Sequence, residues 1–283
     1  MRTSEPSGAT ASGLAGNRFV SNRERVFHPV AARANRMEDW PGMHFCHSSE
    51  IWDDYPELVP GVLAADHITA GVSALPRVAT FAAIADGRLA SRSEGELPEI
   101  QAWRRTFSRM GLKPTQYRCA SESLLRRYRK ERSLPEIHPL IDLCNAVSVA
   151  FAIPIAVFDV ARIADYLEVR RAVGSEIYAS FSGETEHPEV HEVIFADGAN
   201  RAHARRWTNR QSAYSAVRDD TTAVLIVAEA MHASAHADVE RLLTTLADEL
   251  DAVWSTSARA EMLPAPRRAS SSELPRTKPG SST

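Results

Sequence analysis

Residues 137–159 read IHPLIDLCNAVSVAFAIPIAVFD and carry the strongest structural signal in the chain. Pro139 fits the first turn of a helix, and apolar residues then repeat at helical spacing as far as Phe151. After one short turn, the continuous apolar run 153–158 predicts a buried strand that ends at Asp159. A helix followed directly by a buried strand indicates that this part of the chain lies in the core of a protein built around a sheet.

The composition is that of a globular protein without a strong charge bias. The chain has 283 residues, 44% of them hydrophobic, and a formal net charge of -3. A strongly basic protein is excluded, so any contact with nucleic acid must come from a local patch. The three cysteines form no C-x-x-C pair, which favours a reducing, cytoplasmic setting. No window approaches the roughly 18 consecutive apolar residues of a membrane span, so we expect no membrane partner.

The two ends of the chain differ in composition from the middle. Residues 1–40 are rich in Ser, Ala, Gly, Asn and Arg and superficially resemble a transit peptide, but we expect a disordered extension. Residues 259–283 contain four prolines and a serine run, and we expect a disordered C-terminal tail because they offer too little apolar surface to become ordered. Residues 41–258 have no convincing linker and predict one domain.

Helices and strands are mixed within this domain. Residues 44–65 have the short apolar runs and prolines of strand and turn sequence. Helices are predicted over residues 100–110, over residues 121–130 with Ser121 as N-cap, and over residues 239–253. Further strands are predicted over residues 167–172, 192–195, 202–207 and 223–228. This mixture predicts an α/β (α+β) fold with a central, mostly buried sheet flanked by helices.

Five short motifs occur in the order in which one known family has them. The first two are Ile141-Asp142-x-x-Asn145 on the helix and the strand that runs from Pro154 to Phe158-Asp159. The others are Val169-Arg170, Gly174-Ser175-Glu176, and the block 191–232 with Asp219, Thr222 and Glu229. The chain resembles the B3/B4 domain, the editing module of the phenylalanyl-tRNA synthetase beta subunit, which also occurs as a free-standing protein. The resemblance covers residues 44–232 and is tightest over residues 137–229.

The resemblance implies hydrolysis of the ester that joins a wrong amino acid to the terminal ribose of a tRNA. The chain would be a free-standing hydrolase, an aminoacyl-tRNA deacylase acting in trans, with tRNA as its partner. Such an ester is already activated, so a positioned water and hydrogen-bond donors can suffice without a metal, a cofactor or a covalent nucleophile.

Two other functions remain open at this point. The first is a non-catalytic module that binds a tRNA end or a free amino acid. The second is a metal-dependent hydrolase, because histidines, a cysteine and aspartates crowd into residues 44–67, although their spacing fits no zinc pattern.

Two departures separate this chain from the synthetase domain. The family strand reads P-x-H-A-F-D and places a histidine in the editing pocket, whereas this chain has Ala156. The family also has a glutamate that selects a phenolic hydroxyl, and residues 211–214 contain no carboxylate. We therefore expect a remodelled pocket that clears a different small amino acid.

The candidates for the chemistry are Asp142, Asn145, Asp159 and Thr222. Asp142 and Asn145 lie three apart on a helix, so they point the same way and could hold an amino group or orient water. The plain alternative is a solvated helix face. Asp159 ends a buried strand, where sheet proteins often bind ligands, or it simply starts a turn. Thr222 could serve a deacylation pocket or be an ordinary strand residue.

The candidates for substrate and tRNA binding are Arg126, His138, Arg205, Arg206, Trp207, Asn209 and Glu229. Arginines beside a tryptophan suit a single-stranded nucleic-acid end, because phosphates bind the charge and bases stack on the ring. The alternative is an edge strand guarded by charge, with Trp207 in the core. Arg126 belongs to a basic helix face that is either a phosphate contact or merely solvated, and His138 is either a helix cap or a phosphate contact. Glu229 is either a pocket residue or a buried structural acid.

Overall fold

The computed structural model describes residues 44–265. Its helices are α1 (Ser49–Asp54), α2 (Leu75–Leu89), α3 (Pro98–Arg109), α4 (Ala120–Glu131), α5 (Pro139–Phe151) and α6 (Ala235–Trp254). Its strands are β1 (His44–His47), β2 (Val59–Ala65), β3 (Ile155–Asp159), β4 (Tyr166–Arg171), β5 (Tyr178–Ala179), β6 (Thr185–Glu186), β7 (Val193–Asp197), β8 (Ala202–Arg205), β9 (Arg210–Gln211), β10 (Val224–Ala230) and β11 (Arg259–Met262). The predicted α+β class is confirmed. None of the described helices is both long and apolar enough to cross a membrane.

An antiparallel sheet of four strands, in the order β11-β2-β10-β3, lies at the centre. Every residue of β10 is buried, and its side chains alternate between two cores. Val224 and Ile226 pack in the same core as the apolar residues of α5 and α6. Leu225 and Val227 face the opposite core. The central sheet is therefore covered on both faces, as the apolar run 153–158 predicts for β3.

A second sheet covers the face of the central sheet that lies away from α5 and α6. It has the order β1-β4-β7-β8-β9, in which β1 pairs with β4 in parallel and the other neighbours are antiparallel. Phe195 of this sheet meets Phe158 of β3 with ring centroids 5.4 Å apart. Trp103 and Phe107 of α3 join the same core. One face of the central sheet is thus covered by helices and the other largely by a sheet.

Three helices differ from the predictions. The N-cap of α4 is Cys119 and not Ser121, whose side chain is fully buried within the first turn. α2 has no predicted counterpart, because only Phe81 and Ala85 of its fifteen residues are buried, which leaves a weak apolar period. α1 likewise interrupts the predicted strand and turn region of residues 44–65.

The expected disordered tail does not begin at Arg259. Residues Arg259–Met262 form β11, which pairs with β2, and Leu263 beyond it is buried. An edge strand is held by backbone hydrogen bonds, such as the one from Leu263 N–H to the carbonyl oxygen of Pro60 at 3.0 Å, and composition does not report these. Residues 266–283 and the predicted N-terminal extension, residues 1–40, lie outside the described residues.

A pair of glycine substitutions tests the contact between β2 and α6. A Cβ atom on Gly61 would lie 2.6 Å from Cγ1 of Val239 and 2.8 Å from Cδ1 of Leu243, whereas one on Gly87 of α2 would meet nothing within 4 Å. We expect Gly61→Ala to lower the free energy of unfolding by about 1–3 kcal/mol through overpacking. Gly87→Ala should raise it by about 0.5–1 kcal/mol, since alanine favours the helix. Urea unfolding measures both, and equal effects of the two changes would contradict the packing.

Candidate functional site

The connection between α5 and β3 brings most of the predicted catalytic residues to one end of the central sheet. Ala152, with a left-handed φ of 57°, ends α5 and reverses the chain into β3. At about 1.5 Å per helical residue and about 3.3 Å per strand residue, the two elements have similar lengths. Asp159, the last residue of β3, therefore lies at the end where α5 begins. We call the start of this helix, with His138 and Asp142, the α5 amino end; Asn145 lies at the middle of the helix.

His138 is the N-cap of α5. Its Nδ1 accepts a hydrogen bond from the backbone N–H of Leu140 at 3.2 Å, so the neutral ring carries its proton on Nε2. The side chain is buried, and Nε2 has no hydrogen-bond partner among the described residues. Burial lowers the pKa of His138, and the carboxylates of Asp219 and Asp142 oppose this shift without reversing it. At neutral pH the His138 ring is therefore neutral, and its Nε2–H is buried without a partner among the described residues.

A depression of about 180 Å³ opens beside the α5 amino end. Its lining residues are Val72, Ser73, Ala74, Leu75, Glu136, Pro139 and Asp142. The Asp142 carboxylate accepts hydrogen bonds from the backbone N–H groups of Ile137 at 2.8 Å and of His138 at 3.4 Å, which hold it in place. The two carboxylates on this wall attract a cationic group such as an ammonium.

Asn145 lies about one turn further along α5 than Asp142. It is partly buried, and its side chain forms no hydrogen bond within the part of the chain that the structure describes. An amide with unused donors and acceptors can bind water or a ligand. Asp142 and Asn145 thus lie on one side of α5. The Asp142 carboxylate is fixed by two backbone N–H groups, whereas the Asn145 amide has no such contact among residues 44–265.

Asp159 anchors a loop to the end of β3. Its carboxylate accepts hydrogen bonds from the backbone N–H of Ala161 at 3.0 Å and from Oγ1 of Thr221 at 2.9 Å. It is buried, and this geometry is that of a turn-starting aspartate, which was the alternative prediction. The threonine that reaches Asp159 is Thr221, whereas the side chain of Thr222 is exposed. The contact with Asp159 is therefore made by Thr221, and the role of Thr222 in a deacylation pocket stays a prediction.

A buried chain of three polar side chains was missed by the sequence analysis. His203 Nε2 lies 3.1 Å from Oδ2 of Asp197, and His203 Nδ1 lies 2.8 Å from Oγ of Ser215. Burial alone would raise the pKa of Asp197, but the His203 ring and the backbone N–H groups of Arg201 and Ala164 hold it below its ordinary value. Ser215 has no exposed surface, so its hydroxyl is not available as a nucleophile. The three side chains instead fasten the 212–222 loop to β7 and β8. In the sequence of β8, His203 lies between two alanines, and this apolar setting could have predicted that the histidine is buried.

Trp207 and Glu229 belong to the core. Arg206 and Trp207 have left-handed φ values of 48° and 58°, which end β8 and turn the tryptophan inward. Its ring is fully buried and donates from Nε1 to Oε2 of Glu229 at 3.0 Å. Oε1 of Glu229 lies 2.7 Å from Nε2 of His47. The prediction that Trp207 stacks on nucleic acid is therefore wrong, and Glu229 is a buried structural acid.

Arg205 is also unavailable for phosphate. Its guanidinium binds Glu192 at 2.8 Å and Glu186 at 2.6 Å, and the residue is only 4% exposed. Arg206 is partly buried, with its guanidinium carbon 4.9 Å from the ring centre of Tyr117. The predicted tRNA surface around Arg205 is therefore a set of internal ion pairs.

The remaining two binding candidates lie elsewhere. Asn209 donates from Nδ2 to the carbonyl oxygen of Arg118 at 2.8 Å, which ties β9 to the start of α4. Arg126 is exposed on α4 and lies 3.3 Å from Glu94. Arg126 therefore presents its charge to solvent.

Within residues 44–265, three side chains are close enough to share a metal ion, and they are Glu99, His232 and Asp238. Arg88 already binds both carboxylate oxygens of Glu99, at 2.7 and 2.8 Å. Arg241 binds Asp238 at 2.6 Å. The guanidinium groups neutralise the carboxylates, so this group is an ion-pair network. The metal-ligand candidates of residues 44–67 form no such group in the described part of the chain.

The structure is thus an α+β domain with two facing sheets and a depression beside the start of α5. The B3/4 domain family matches residues 102–249, which is more than half of the chain. The chain belongs to the B3/4 domain family.

A solved structure, an N-terminal fragment of the phenylalanyl-tRNA synthetase beta subunit from Pyrococcus horikoshii, is similar at 10% sequence identity and a TM-score of 0.43. The similarity covers 78% of this chain and 54% of that one, so this chain spans about half the length of that fragment. The comparison with curated proteins finds no match.

Removal of the Arg205 guanidinium should destabilise the protein in a pH-dependent way. The pKa of Glu192 is lowered, because Arg205 and Arg206 outweigh the opposing effect of burial. A lowered folded-state pKa contributes stability above the unfolded value of about 4.3, and this stability is lost as the pH falls through the folded value. We expect Arg205→Gln to cost about 3–5 kcal/mol near neutral pH, as for a broken buried ion pair.

Urea unfolding near neutral pH and again near pH 3.5 measures this effect, and the cost should shrink at the acid end as the carboxylates become protonated. Arg127→Gln on the exposed face of α4 is the control and should change stability by no more than about 0.5 kcal/mol at either pH. An equal cost of Arg205→Gln at both pH values would contradict the ion-pair explanation.

Proposed function

We propose that this protein is a free-standing, metal-independent aminoacyl-tRNA deacylase whose site is the α5 amino end. The observation that carries the proposal is a depression at the start of α5 that is lined by a fixed carboxylate, Asp142, and by Glu136. Membership of the B3/4 domain family supports a tRNA-related role. The substrate would be a mischarged tRNA, acted on in trans.

The depression suits the aminoacyl group. The free ammonium of the amino acid lies beside Asp142 and Glu136, whose carboxylates attract it. At about 180 Å³ the depression is smaller than the ~300–1,000 Å³ of most small-molecule sites, so a small amino acid enters it while the adenosine remains outside. The site therefore selects by size and by the presence of a free amino group.

The hydrolysis uses water as the nucleophile. The oxygen of a water attacks the ester carbonyl carbon, the bond from that carbon to the ribose oxygen breaks, and a proton from the water passes to the ribose oxygen. Asn145 orients the water. The negative charge that develops on the carbonyl oxygen is stabilised by the positive end of the α5 dipole.

The side chains near this site argue for water in preference to a covalent nucleophile. Cys144 on α5 is buried, and burial raises the pKa of its thiol to about 12, so the reactive thiolate is absent at neutral pH. Ala156 of β3 supplies no polar atom where the synthetase domain has a histidine. The roles therefore fall to groups at the start of the helix and not to groups on the strand.

A second candidate is a module that binds an amino acid or a tRNA end without turnover. It is favoured by the state of Asp142, whose carboxylate already accepts two backbone N–H groups and is less free to accept a proton from water. This alternative uses the same depression and differs only in the absence of hydrolysis.

A panel of mischarged tRNAs tests the proposal. We expect the wild-type protein to hydrolyse at least one ester well above the buffer rate. Asp142→Asn should lower kcat/KM by about 10²-fold because the ammonium loses its carboxylate, and Asn145→Ala should have a similar effect because the water is no longer oriented. Asp142→Asn keeps an oxygen that can accept the N–H of Ile137, so the helix start is preserved.

The matched control is Asp248→Asn on the exposed side of α6, which removes the same charge far along another helix and should leave the rate unchanged. Binding of the aminoacyl group without hydrolysis above the buffer rate would select the second candidate. Hydrolysis that both site variants retain at the wild-type rate would move the chemistry away from the α5 amino end.

A further inference from the structure

α4 presents four positive side chains on one exposed face: Arg126, Arg127, Arg129 and Lys130. They line an open groove of about 520 Å³, which is considerably larger than the depression beside α5. We call this surface the α4 groove. The chain as a whole is slightly acidic, so this concentration of positive charge is local.

A buried carboxylate fixes two of these cations in position. The side chain of Glu94 is only 3% exposed and lies 3.3 Å from Nη1 of Arg126 and 3.0 Å from Nε of Arg129. Both guanidinium groups keep about half of their side-chain surface exposed, 46% for Arg126 and 51% for Arg129. Cations that pair with a buried carboxylate and are also exposed to solvent are preorganised to bind an anion, because less side-chain entropy is lost on binding.

The groove retains an excess of positive charge. Arg127 pairs with Glu131 at 2.8 Å, and Lys130 forms no ion pair among the described residues. Cations in the last turn stabilise a helix through its dipole, which accounts for Arg129 and Lys130. That effect falls off within one turn, so it does not account for Arg126 or for the carboxylate placed beneath it.

A short connection joins α4 to the α5 amino end. Residues 132–137 alone separate the last residue of α4 from His138, so the connection reaches at most about 25 Å. The two helices also pack against each other. A molecule that lies along α4 can therefore extend into the depression beside Asp142.

We propose that the α4 groove binds the phosphate backbone of the tRNA acceptor arm. This inference rests on the proposed function, and it identifies the surface that holds the body of the tRNA while its charged end enters the depression. The alternative surface around Arg205 and Trp207 is closed by internal ion pairs and burial. The contact is ionic and independent of base sequence, so it weakens steeply as salt rises.

The test neutralises the two cations that Glu94 does not hold. Binding of uncharged tRNA is measured by fluorescence anisotropy at several salt concentrations, for the wild type and for Arg127→Gln/Lys130→Gln. We expect the variant to bind about tenfold or more weakly at low salt, with the slope of log K against log salt reduced in magnitude by about 1–2. Hydrolysis of a 3′-aminoacyl adenosine, which lacks the tRNA body, should remain at the wild-type rate.

Two controls separate charge from structure. Arg105→Gln/Lys113→Gln removes the same two charges from exposed positions outside the groove and should leave tRNA binding unchanged. Arg127→Lys/Lys130→Arg keeps the charge and should bind like the wild type.

Unchanged affinity and salt slope in Arg127→Gln/Lys130→Gln would overturn the inference, even if aminoacyl adenosine is hydrolysed. Loss of binding to phosphatidylserine vesicles, with tRNA binding unaffected, would identify a membrane surface and also overturn it. Loss of tRNA binding in that variant alone would support it, even if no ester is hydrolysed and the proposed chemistry fails.

Discussion

The burial of β10 on both faces is the constraint on which the rest of the structure depends. This strand pairs with β2 on one side and with β3 on the other, so it fixes the register of these two strands. One set of its side chains packs against α5 and α6, and the other set packs against the second sheet. The position of α5, and with it the α5 amino end, follows from this packing.

Glu229, near the end of β10, shows how polar groups are accommodated in such a core. Its two carboxylate oxygens meet Nε2 of His47 on β1 and Nε1 of Trp207, and its carbonyl oxygen accepts from Nε1 of Trp103 at 3.3 Å. A buried carboxylate costs several kcal/mol unless it is paired and hydrogen-bonded. The network therefore requires β1, α3 and the segment after β8 to meet at one point, and it joins the two sheets by directional contacts.

The features predicted from sequence are those that depend on nearby residues. The stripe from Leu140 to Phe151 and the apolar run before Asp159 predicted α5 and β3 because period and length are local properties. The shared side of Asp142 and Asn145 followed from helix geometry for the same reason. The sequence did not predict α2, because its apolar residues repeat only weakly at helical spacing.

The features that sequence did not reveal depend on distant partners. Arg205 is internal because Glu186 of β6 and Glu192, just before β7, pair with it. A run of arginines has the same sequence whether it is paired or exposed. The contact of His203 with Ser215 requires the loop to fold back over β8. Whether Thr221 or Thr222 contacts Asp159 depends on a shift of one residue along the loop, and this shift is determined only in the folded structure.

The pairing of β11 with β2 has a practical consequence for work with shortened versions of the protein. A chain that ends at residue 258 would leave the outer backbone groups of β2 without partners, next to the buried Val62 and Leu63. Exposed sheet edges of this kind recruit strands from other molecules and lead to aggregation. Recombinant fragments should therefore retain residues 259–263. Poor solubility of a shorter fragment would result from the missing edge strand β11 and would not show that the domain cannot fold.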